Sequence, residues 1–484
     1  MKKRLYLLSF CLFPFFLCAQ TSITTTNSNS TTISPNGIVD NRPQALSATN
    51  KYIAIGDSAM YSNVSGEAVV GIGHKTLAKS TAVGYSVAIG DRAMYNSIQG
   101  YSNIGIGPSA LYSTNSYNNI GIGLSALFHN NNGINNIGLG SMVLFENTNG
   151  EKNIVLGNNA MWNSKSLSES IVIGNGALYN LAYENINNSV PINLIAIGNN
   201  VAKNFTIPSN YHQMGYISNV LIGNNSFTSA VSGDGNTTLG VNTLSMTNNS
   251  SNNTAVGNSS LQSLQNNELI HGENSALGVY SLVNLLFGSR NTAMGTASGN
   301  SLVNGNNNTF LGTSSGVNVT PYATSVSNAM ALGFNAKVNT DNKVVIGDAN
   351  VSQIGGYATW TNYSDKRLKE NISYDNSLGL SFINELKTAK YNYIADENKN
   401  VRNGLIAQDV KEILLKNNWT FSGLIEDNDL PHTLNLSYSE LVIPLINAVK
   451  ELSTENESLK MQLSNFRNEI DKIKEELTSK SNLN

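Results

Sequence analysis

The stretch Asn103-Ile-Gly-Ile-Gly107 decides the fold, because close copies follow it as Asn119-Ile-Gly-Ile-Gly123 and Asn136-Ile-Gly-Leu-Gly140. The final glycines of neighbouring copies are 17 residues apart in ten of sixteen steps. This period is too short for a repeat of two helices and is typical of one coil of a β-solenoid. The recurring glycines are Gly56, Gly73, Gly90, Gly107, Gly123, Gly140, Gly157, Gly174, Gly198, Gly223, Gly240, Gly257, Gly278, Gly295, Gly312, Gly333 and Gly347.

Each coil repeats an internal pattern. Ile104 and Ile106 are two positions apart, so a short strand would turn both side chains to one inward face. Gly107 then permits a tight turn or a close approach of two backbones. The small-residue step Ser109-Ala110-Leu111 that follows is typical of a second short strand. One coil cannot bury its own apolar face, so the pattern predicts obligatory stacking with capped ends.

An asparagine stands four residues before the glycine in ten coils. Stacking would align these side chains in a single row. The pattern therefore predicts an Asn ladder, whose side-chain amides bond one coil to the next. The asparagines are Asn103, Asn119, Asn136, Asn153, Asn219, Asn236, Asn253, Asn274, Asn291 and Asn308.

Two longer steps between glycines predict inserted loops. They fall at Tyr179–Pro191 and at Phe205–Tyr216, with Tyr211 and His212 near the tip of the second loop. Insertions in a solenoid tend to lie on one face and often bind ligands. Tolerated surface decoration is the other interpretation.

The repeat resembles the head repeats of trimeric autotransporter adhesins, the YadA-like parallel β-roll. Ser86-Val87-Ala88-Ile89-Gly90 is close to the signature of that family, and the resemblance covers 51–350. It implies three chains packed side by side, with their apolar faces meeting on the axis. The coil here is slightly longer than in the family, and the membrane anchor of the family is not found. Attachment by that route is therefore not expected.

Residues 1–19 are typical of a secretory signal peptide, with a charged start, a short apolar core and a cleavage point at Ala19-Gln20. Export to the medium or the cell surface is the prediction, and lipidation at Cys18 is the weaker alternative. Both cysteines, Cys11 and Cys18, lie in this segment, so the mature chain would have no disulfide. No later apolar run reaches the ~20 residues of a spanning helix. Residues 20–50 are expected to form a linker or cap.

Charge and glycine divide the chain. The net charge is -3, without the basic excess that a nucleic-acid partner requires. More than half of the charged residues follow Tyr363, whereas 38 of the 41 glycines precede it. This break marks the main domain boundary, and 351–363 is interpreted as a linker. The five histidines are scattered without metal-ligand spacing, so neither a metal nor another cofactor is expected.

The segment Ser364-Asp-Lys-Arg-Leu-Lys369 stands at this boundary. A serine hydroxyl is a weak nucleophile until a neighbouring group takes its proton, and a lysine does so where desolvation lowers its pKa. Ser364 and Lys369 are thus a candidate nucleophile and base. An ordinary solvated loop is the alternative interpretation of the same residues.

Three motifs in order resemble the C-terminal intramolecular chaperone of phage tail spikes and endosialidases: Tyr363–Ile372, Gly404–Val410 and Tyr438–Val449. The resemblance covers 364–450 and implies a small α+β domain that trimerises, assists folding of the upstream β-structure and then severs itself. It implies a cut between Tyr363 and Ser364, although some members keep the domain attached. Residues expected to support the motif are Asp365, Arg367, Gln408 and Asp409.

A heptad pattern predicts a coiled coil over 451–484, beginning with a helix from Ile443. Asn456 falls at an a position, where a polar residue fixes the register. A single amphipathic helix on a globular core is the alternative. The predicted seam comprises Leu445, Val449, Leu452, Asn456, Leu459, Leu463, Phe466, Ile470, Ile473 and Leu477.

The sequence therefore predicts a mainly β protein. It would be a trimeric parallel β-roll or solenoid, then a small α+β chaperone domain, then a trimeric coiled coil. The predicted function is an exported homotrimeric fibre or adhesin-like surface protein that cleaves itself once, as a single-turnover serine auto-endopeptidase. One alternative is a structural fibre with a permanent trimerisation foot, and another is a polysaccharide-binding or polysaccharide-cleaving protein. A host glycan or other surface ligand is a candidate partner.

Overall fold

The computed structural model describes residues 30–33, 52–63, 65–183, 193–207, 218–265, 272–318, 324–394, 396–427 and 433–481. The chain divides into two compact units, 1–316 and 317–484. The predicted signal peptide lies outside the described residues, as do most of 20–50 and the tips of both predicted loops.

The fold is mainly β, with a parallel solenoid of about 15 turns, as predicted. Its strands are short, and most contain three residues. They are β1 Ser30–Ile33, β2 Tyr52–Ile55, β3 Val69–Ile72, β4 Ala82–Gly84, β5 Val87–Ile89, β6 Gln99–Tyr101, β7 Ile104–Ile106, β8 Ile120–Ile122, β9 Ile137–Leu139, β10 Ile154–Leu156, β11 Ile171–Ile173, β12 Ala182–Tyr183, β13 Ile195–Ile197, β14 Thr206–Ile207, β15 Val220–Ile222, β16 Thr237–Leu239, β17 Thr254–Val256, β18 Ser275–Leu277, β19 Thr292–Met294, β20 Thr309–Leu311, β21 Gly316–Val317, β22 Met330–Leu332, β23 Lys337–Val338 and β24 Val344–Ile346.

In the first unit each repeat pairs with the equivalent residues of the next. Ile104 of β7 is opposite Ile120 of β8, which is in turn opposite Ile137 of β9. All of these pairs are parallel, and the middle residues of the three strands align in the same way. The 17-residue period is therefore the length of one coil.

The predicted inward orientation of Ile104 and Ile106 is wrong for the single chain. Both are half-exposed, and the residue between them, Gly105, is buried. The same middle position holds Ala88 and Val155, each 0% exposed. The coil interior is narrow: a Cβ on Gly105 would lie 3.2 Å from the Cγ of Met94. The interior therefore accepts a small middle residue, and the larger flanking residues form an outer apolar face.

The predicted second strand is also wrong, because Ser109-Ala110-Leu111 forms a turn. Ser109 and Leu111 have φ values of 56° and 50°. A strand would point Ala110 and Leu111 to opposite faces. The left-handed residues instead let both side chains face inward, where each is 0% exposed.

The glycine after each strand is required by close backbone contact. Gly107 has φ +131°, and a Cβ added there would lie 2.5 Å from the carbonyl oxygen of Gly123 in the next coil. No other residue combines that backbone conformation with the available space.

The predicted Asn ladder is confirmed. Asn136 donates from Nδ2 to Gly150 O at 2.7 Å and to Asn119 Oδ1 at 3.2 Å. Its Oδ1 accepts from the backbone N–H of Asn153 at 3.1 Å and from Asn153 Nδ2 at 3.0 Å. Asn119, Asn136 and Asn153 are all 0% exposed. Their amides satisfy backbone groups that would otherwise be buried without partners.

The C-terminal part of the second unit is α+β. Two antiparallel pairs join β25 Thr388–Tyr391 to β26 Arg402–Leu405, and β27 Leu424–Glu426 to β28 Leu434–Leu436. A core of Phe382, Val410, Ile413 and Leu414 packs against these strands through Leu405, Leu424 and Leu436. The helices are α1 Leu380–Glu385, α2 Ala407–Asn417 and α3 Val442–Ser481, with 3₁₀ turns at Lys366–Leu368 and Tyr438–Leu441.

Candidate functional site

Ser364 and Lys369 lie side by side, as their candidate roles require. A 3₁₀ turn at Lys366–Leu368 reverses the chain between them. This brings Lys369 Nζ to 2.8 Å from Ser364 Oγ, where the ammonium donates and the hydroxyl accepts. The geometry suits proton exchange between the two groups, for which heavy atoms must lie within hydrogen-bond distance.

Asp365 and Arg367 shape this turn. The Asp365 carboxylate accepts the backbone N–H of Arg367 at 2.8 Å and so caps the 3₁₀ turn. It also accepts three side-chain bonds from the Arg367 guanidinium, the shortest at 2.6 Å. These hydrogen bonds lower the pKa of Asp365 and raise that of Arg367. The pair fixes the loop on which Ser364 and Lys369 stand.

The candidate dyad is exposed in the single chain, together with the segment before it. Tyr363 is 95% exposed and Trp360 is 87% exposed. A lysine acts as a base only where water is excluded from its amine. In the single chain the serine and the lysine are in contact, but solvent is not excluded from them.

Gln408 and Asp409 lie on the first turn of α2, away from the hydrogen bonds of the dyad. Among the described residues, no hydrogen bond joins either side chain to Ser364 or Lys369. Asp409 stands at the amino end of the helix, where a carboxylate is favourable to the helix dipole.

A contact that the sequence did not predict joins the second and third motifs. The Tyr438 hydroxyl accepts the backbone N–H of Leu405 at 2.7 Å. Gly404 leaves space for the Tyr438 hydroxyl, since a Cβ at this position would be too close to the phenol oxygen. Nearby, a hydrogen bond with Tyr393, together with burial, raises the pKa of Tyr391 to about 12. Tyr438 opens its motif, but nothing in the sequence indicates its partner.

A second unpredicted contact connects residues on either side of the candidate cut. Lys343 Nζ lies 2.8 Å from Asp427 Oδ2, and the Asp427 side chain is only 7% exposed. Asn435 and Asn339 also donate to that oxygen, at 3.1 and 3.4 Å. Burial alone would raise the pKa of Asp427, but these partners outweigh burial and lower it. We call these four residues the Asp427 cluster.

The heptad seam of α3 is uncovered in the single chain. The 40-residue helix buries only Pro444 and Ala448, both near its start. Asn456 is exposed beside the apolar seam. Apolar seam residues, each between 47% and 64% exposed, are Leu445, Val449, Leu452, Leu459, Leu463, Phe466, Ile470, Ile473 and Leu477.

The outer apolar face of the solenoid is likewise uncovered. Ile154 is 41% exposed and Leu239 is 50% exposed, on strands stacked in one parallel sheet. Contiguous apolar patches of this kind are typical of interfaces in soluble proteins. Other exposed members of the face are Ile53, Leu139, Ile171 and Met294.

Comparison with known proteins matches one segment of the chain to a known family. The family model described as the chaperone of endosialidase matches residues 364–418, which begin at Ser364 and include Lys369. The match covers well under half of the chain. No curated protein and no solved structure gives a match.

A parallel β-solenoid that precedes a chaperone-of-endosialidase segment fits a protein of the phage tail-fibre or tail-spike type. This architecture is compatible with an extracellular or surface location. Within the described residues, no helix has the length and apolarity needed to span a bilayer. The more specific resemblance of the repeats to autotransporter heads stays a prediction.

Proposed function

We propose that the chain is an exported homotrimeric fibre whose C-terminal region trimerises, assists folding and cleaves itself once between Tyr363 and Ser364. In this proposal Ser364 is the nucleophile and Lys369 is the base. The observation that carries it is the 2.8 Å bond between Lys369 Nζ and Ser364 Oγ at the start of the matched segment.

The proposed reaction uses water and no cofactor. Ser364 Oγ attacks the carbonyl carbon of Tyr363 while the deprotonated Lys369 amine takes the hydroxyl proton. The peptide C–N bond breaks, the released nitrogen takes up that proton as a new amino terminus, and Tyr363 remains on Oγ as an ester. Water hydrolyses the ester, which leaves a carboxylate on Tyr363 and restores the serine hydroxyl.

Assembly of the trimer would exclude water from Lys369, which is exposed in the single chain. The uncovered seam of α3 favours a parallel coiled coil of three chains, with Asn456 setting its register. The outer face of the solenoid would then meet its copies on the axis. Association brings the three exposed 357–374 segments together, and exclusion of water there would activate Lys369. Cleavage would thus follow correct assembly.

The second candidate function is a fibre that keeps its C-terminal region as a permanent foot. The Asp427 cluster favours it, because the contact between Lys343 and Asp427 joins residues on either side of the proposed cut in the intact chain. In either case a host glycan or another surface ligand is the proposed partner of the solenoid, and the proposed location is the medium or the cell surface.

The test of cleavage is a denaturing gel with intact mass on purified full-length protein and three variants. We expect a fragment that ends at Tyr363 from the unaltered protein, and none from Ser364→Ala or Lys369→Met. Lys366→Met is the matched control, since it removes a cation from the same turn and leaves the bond between Lys369 and Ser364 intact. Uncleaved chains in every sample would refute self-cleavage and leave the permanent foot.

The chaperone role has a separate test. Parallel coils bring distant segments together slowly and expose unpaired strand edges meanwhile. Trimerised tails raise the effective concentration of the three arrays. We expect deletion of 364–484 to give aggregated repeats, and soluble trimeric repeats from that deletion would contradict the chaperone role.

A further inference from the structure

Six aromatic side chains form a continuous stack along the solenoid. Each stands five residues after the recurring glycine of its coil, on a different row from the outer apolar face. Successive ring centroids are 4.6 to 5.8 Å apart, and the planes are within 23° of parallel. All six rings are half-buried, so each keeps an edge accessible to solvent. They are Tyr95, Tyr112, Phe128, Phe145, Trp162 and Tyr179.

A row of exposed asparagines runs beside the end of this stack, directly after the recurring glycines. The Oδ1 atoms of Asn158, Asn175, Asn199 and Asn224 each accept a backbone N–H from the preceding coil, at 2.8 to 3.0 Å. These bonds fix the orientation of each amide. No described residue accepts a hydrogen bond from their Nδ2 groups, so the row presents aligned donors to solvent.

An open groove of about 700 Å³ lies where the two rows meet. Gly176 is part of its lining, whereas the same position in the adjacent coils carries Asn159 and Asn200. At one end Lys203 replaces the aromatic residue of the stack. None of the described lining residues is acidic, and no described residue forms an ion pair with Lys203. The lining is Asn158, Asn159, Asn175, Gly176, Tyr179, Asn199, Asn200 and Lys203.

We propose that this groove binds an acidic oligosaccharide. A pyranose ring has one face of weakly positive C–H groups, which suits the negative face of Tyr179, the last ring of the stack. Its hydroxyls accept hydrogen bonds from the fixed amides of Asn175 and Asn199. The Lys203 ammonium pairs with a sugar carboxylate. The volume lies in the usual range of ligand pockets, about 300–1,000 Å³.

Other ligand classes fit less well. A nucleic acid would require clustered cations along its phosphates, and this groove has one lysine. A lipid or apolar peptide would leave the amide donors of Asn158, Asn175 and Asn199 buried without acceptors, which is unfavourable. A polyhydroxylated acid satisfies the ring, the amides and the cation together.

The inference adds a ligand class to the proposed surface fibre and does not depend on cleavage. It is therefore tested in Ser364→Ala protein, so that loss of binding and loss of cleavage are separate readouts. Mobility is measured in native gels that contain polygalacturonate, alginate or hyaluronate as acidic polymers, or dextran as the neutral one. Affinity for oligomers of any retarding polymer is then measured by calorimetry.

The decisive variant is Gly176→Asn, which fills the groove with the residue that adjacent coils already carry. Gly176 has φ +63°, a conformation that asparagine tolerates, and an added Cβ approaches only the flexible Asn200 side chain. Ala297→Asn is the matched control, because Ala297 has φ 54° at the same coil position away from the stack. Circular dichroism checks that both variants keep the native fold.

We expect at least one acidic polymer to retard the protein and its control. Gly176→Asn should weaken binding tenfold or more, and Lys203→Gln should remove the preference for acidic over neutral polymer. Absence of retardation by all of the polymers would overturn the proposal. Equal retardation of Gly176→Asn and the control would also overturn it, because binding would then lie elsewhere on the chain.

Discussion

Replacement of Asn136 by alanine tests whether the Asn ladder stabilises the solenoid. The substitution leaves the backbone N–H of Asn153 without an acceptor among the described residues, in a site that is 0% exposed. A buried unsatisfied donor costs about 1–3 kcal/mol, and each other lost bond about 0.5–1.5 kcal/mol. Gly150 O keeps a bond from Asn147, which limits the total. We expect a local destabilisation of roughly 3–5 kcal/mol.

Native-state hydrogen exchange measures this effect, because a long repeat array need not unfold in one step. A loss of 3–5 kcal/mol corresponds to exchange faster by about a hundredfold to a few thousandfold around Asn153. The control is Asn132→Ala, which removes an exposed amide bond to Asn149 in the same region. Its effect should stay within about 0.5 kcal/mol. Less than tenfold faster exchange in Asn136→Ala would refute the reasoning.

Three further predictions concern the solenoid turn, the seam and the Asp427 cluster. Gly107→Ala should destabilise its coil by about 3 kcal/mol or prevent folding, because it combines backbone strain with a Cβ only 2.5 Å from the carbonyl oxygen of Gly123; limited proteolysis of the repeats checks this. Leu463→Asp should reduce the proposed trimer to monomer in sedimentation experiments, since it places a carboxylate in the apolar seam; a trimer that persists in this variant would argue against the coiled coil. The lowered pKa of Asp427 contributes stability that is present above its unfolded pKa, about 3.9, and lost as the pH falls through its folded pKa. Acid unfolding of the C-terminal unit should therefore become less pH-dependent in Lys343→Met, whereas an unaltered pH profile would mean that the lysine does not lower that pKa.

Periodicity made most of the fold predictable. The glycine spacing gave the coil length, and the asparagine four residues earlier gave a ladder whose bonds now include those of Asn136. The heptads likewise predicted the long helix that begins at Val442. These features repeat, so each copy adds evidence for the same local structure.

Side-chain orientation was less predictable. Alternation at Ile104 and Ile106 identifies a strand with two different faces but does not say which face is inside. The narrow coil interior decides, and it accepts Gly105. The step at Ala110 and Leu111 was misjudged because residues outside glycine rarely adopt the left-handed conformation. Here that conformation recurs in coil after coil, where stacking supports it.

Part of the candidate site was visible in the sequence and part was not. Ser364 and Lys369 are five residues apart, so a local turn was enough to join them. Lys343 and Asp427 are 84 residues apart, and no local pattern relates them. The aromatic stack was detectable in principle, since an aromatic residue stands five positions after the glycine in each coil from Tyr95 to Tyr179. The missing side chain at Gly176 can be recognised as part of a groove only when the adjacent coils, with Asn159 and Asn200 at the same position, are aligned in space.

In the C-terminal unit, cleavage of the peptide after Tyr363 would not by itself release the C-terminal fragment. The proposed hydrolysis between Tyr363 and Ser364 would remove one covalent link, but the bond between Lys343 and Asp427 joins residues on either side of that point, and the Asp427 side chain is only 7% exposed. Breaking a buried pair leaves an uncompensated charge, so the cluster resists separation after the peptide is cut. Cleavage under these conditions would make assembly kinetically irreversible without immediate loss of the tail. The fragments should therefore co-purify at neutral pH and separate when Asp427 is protonated or replaced by asparagine.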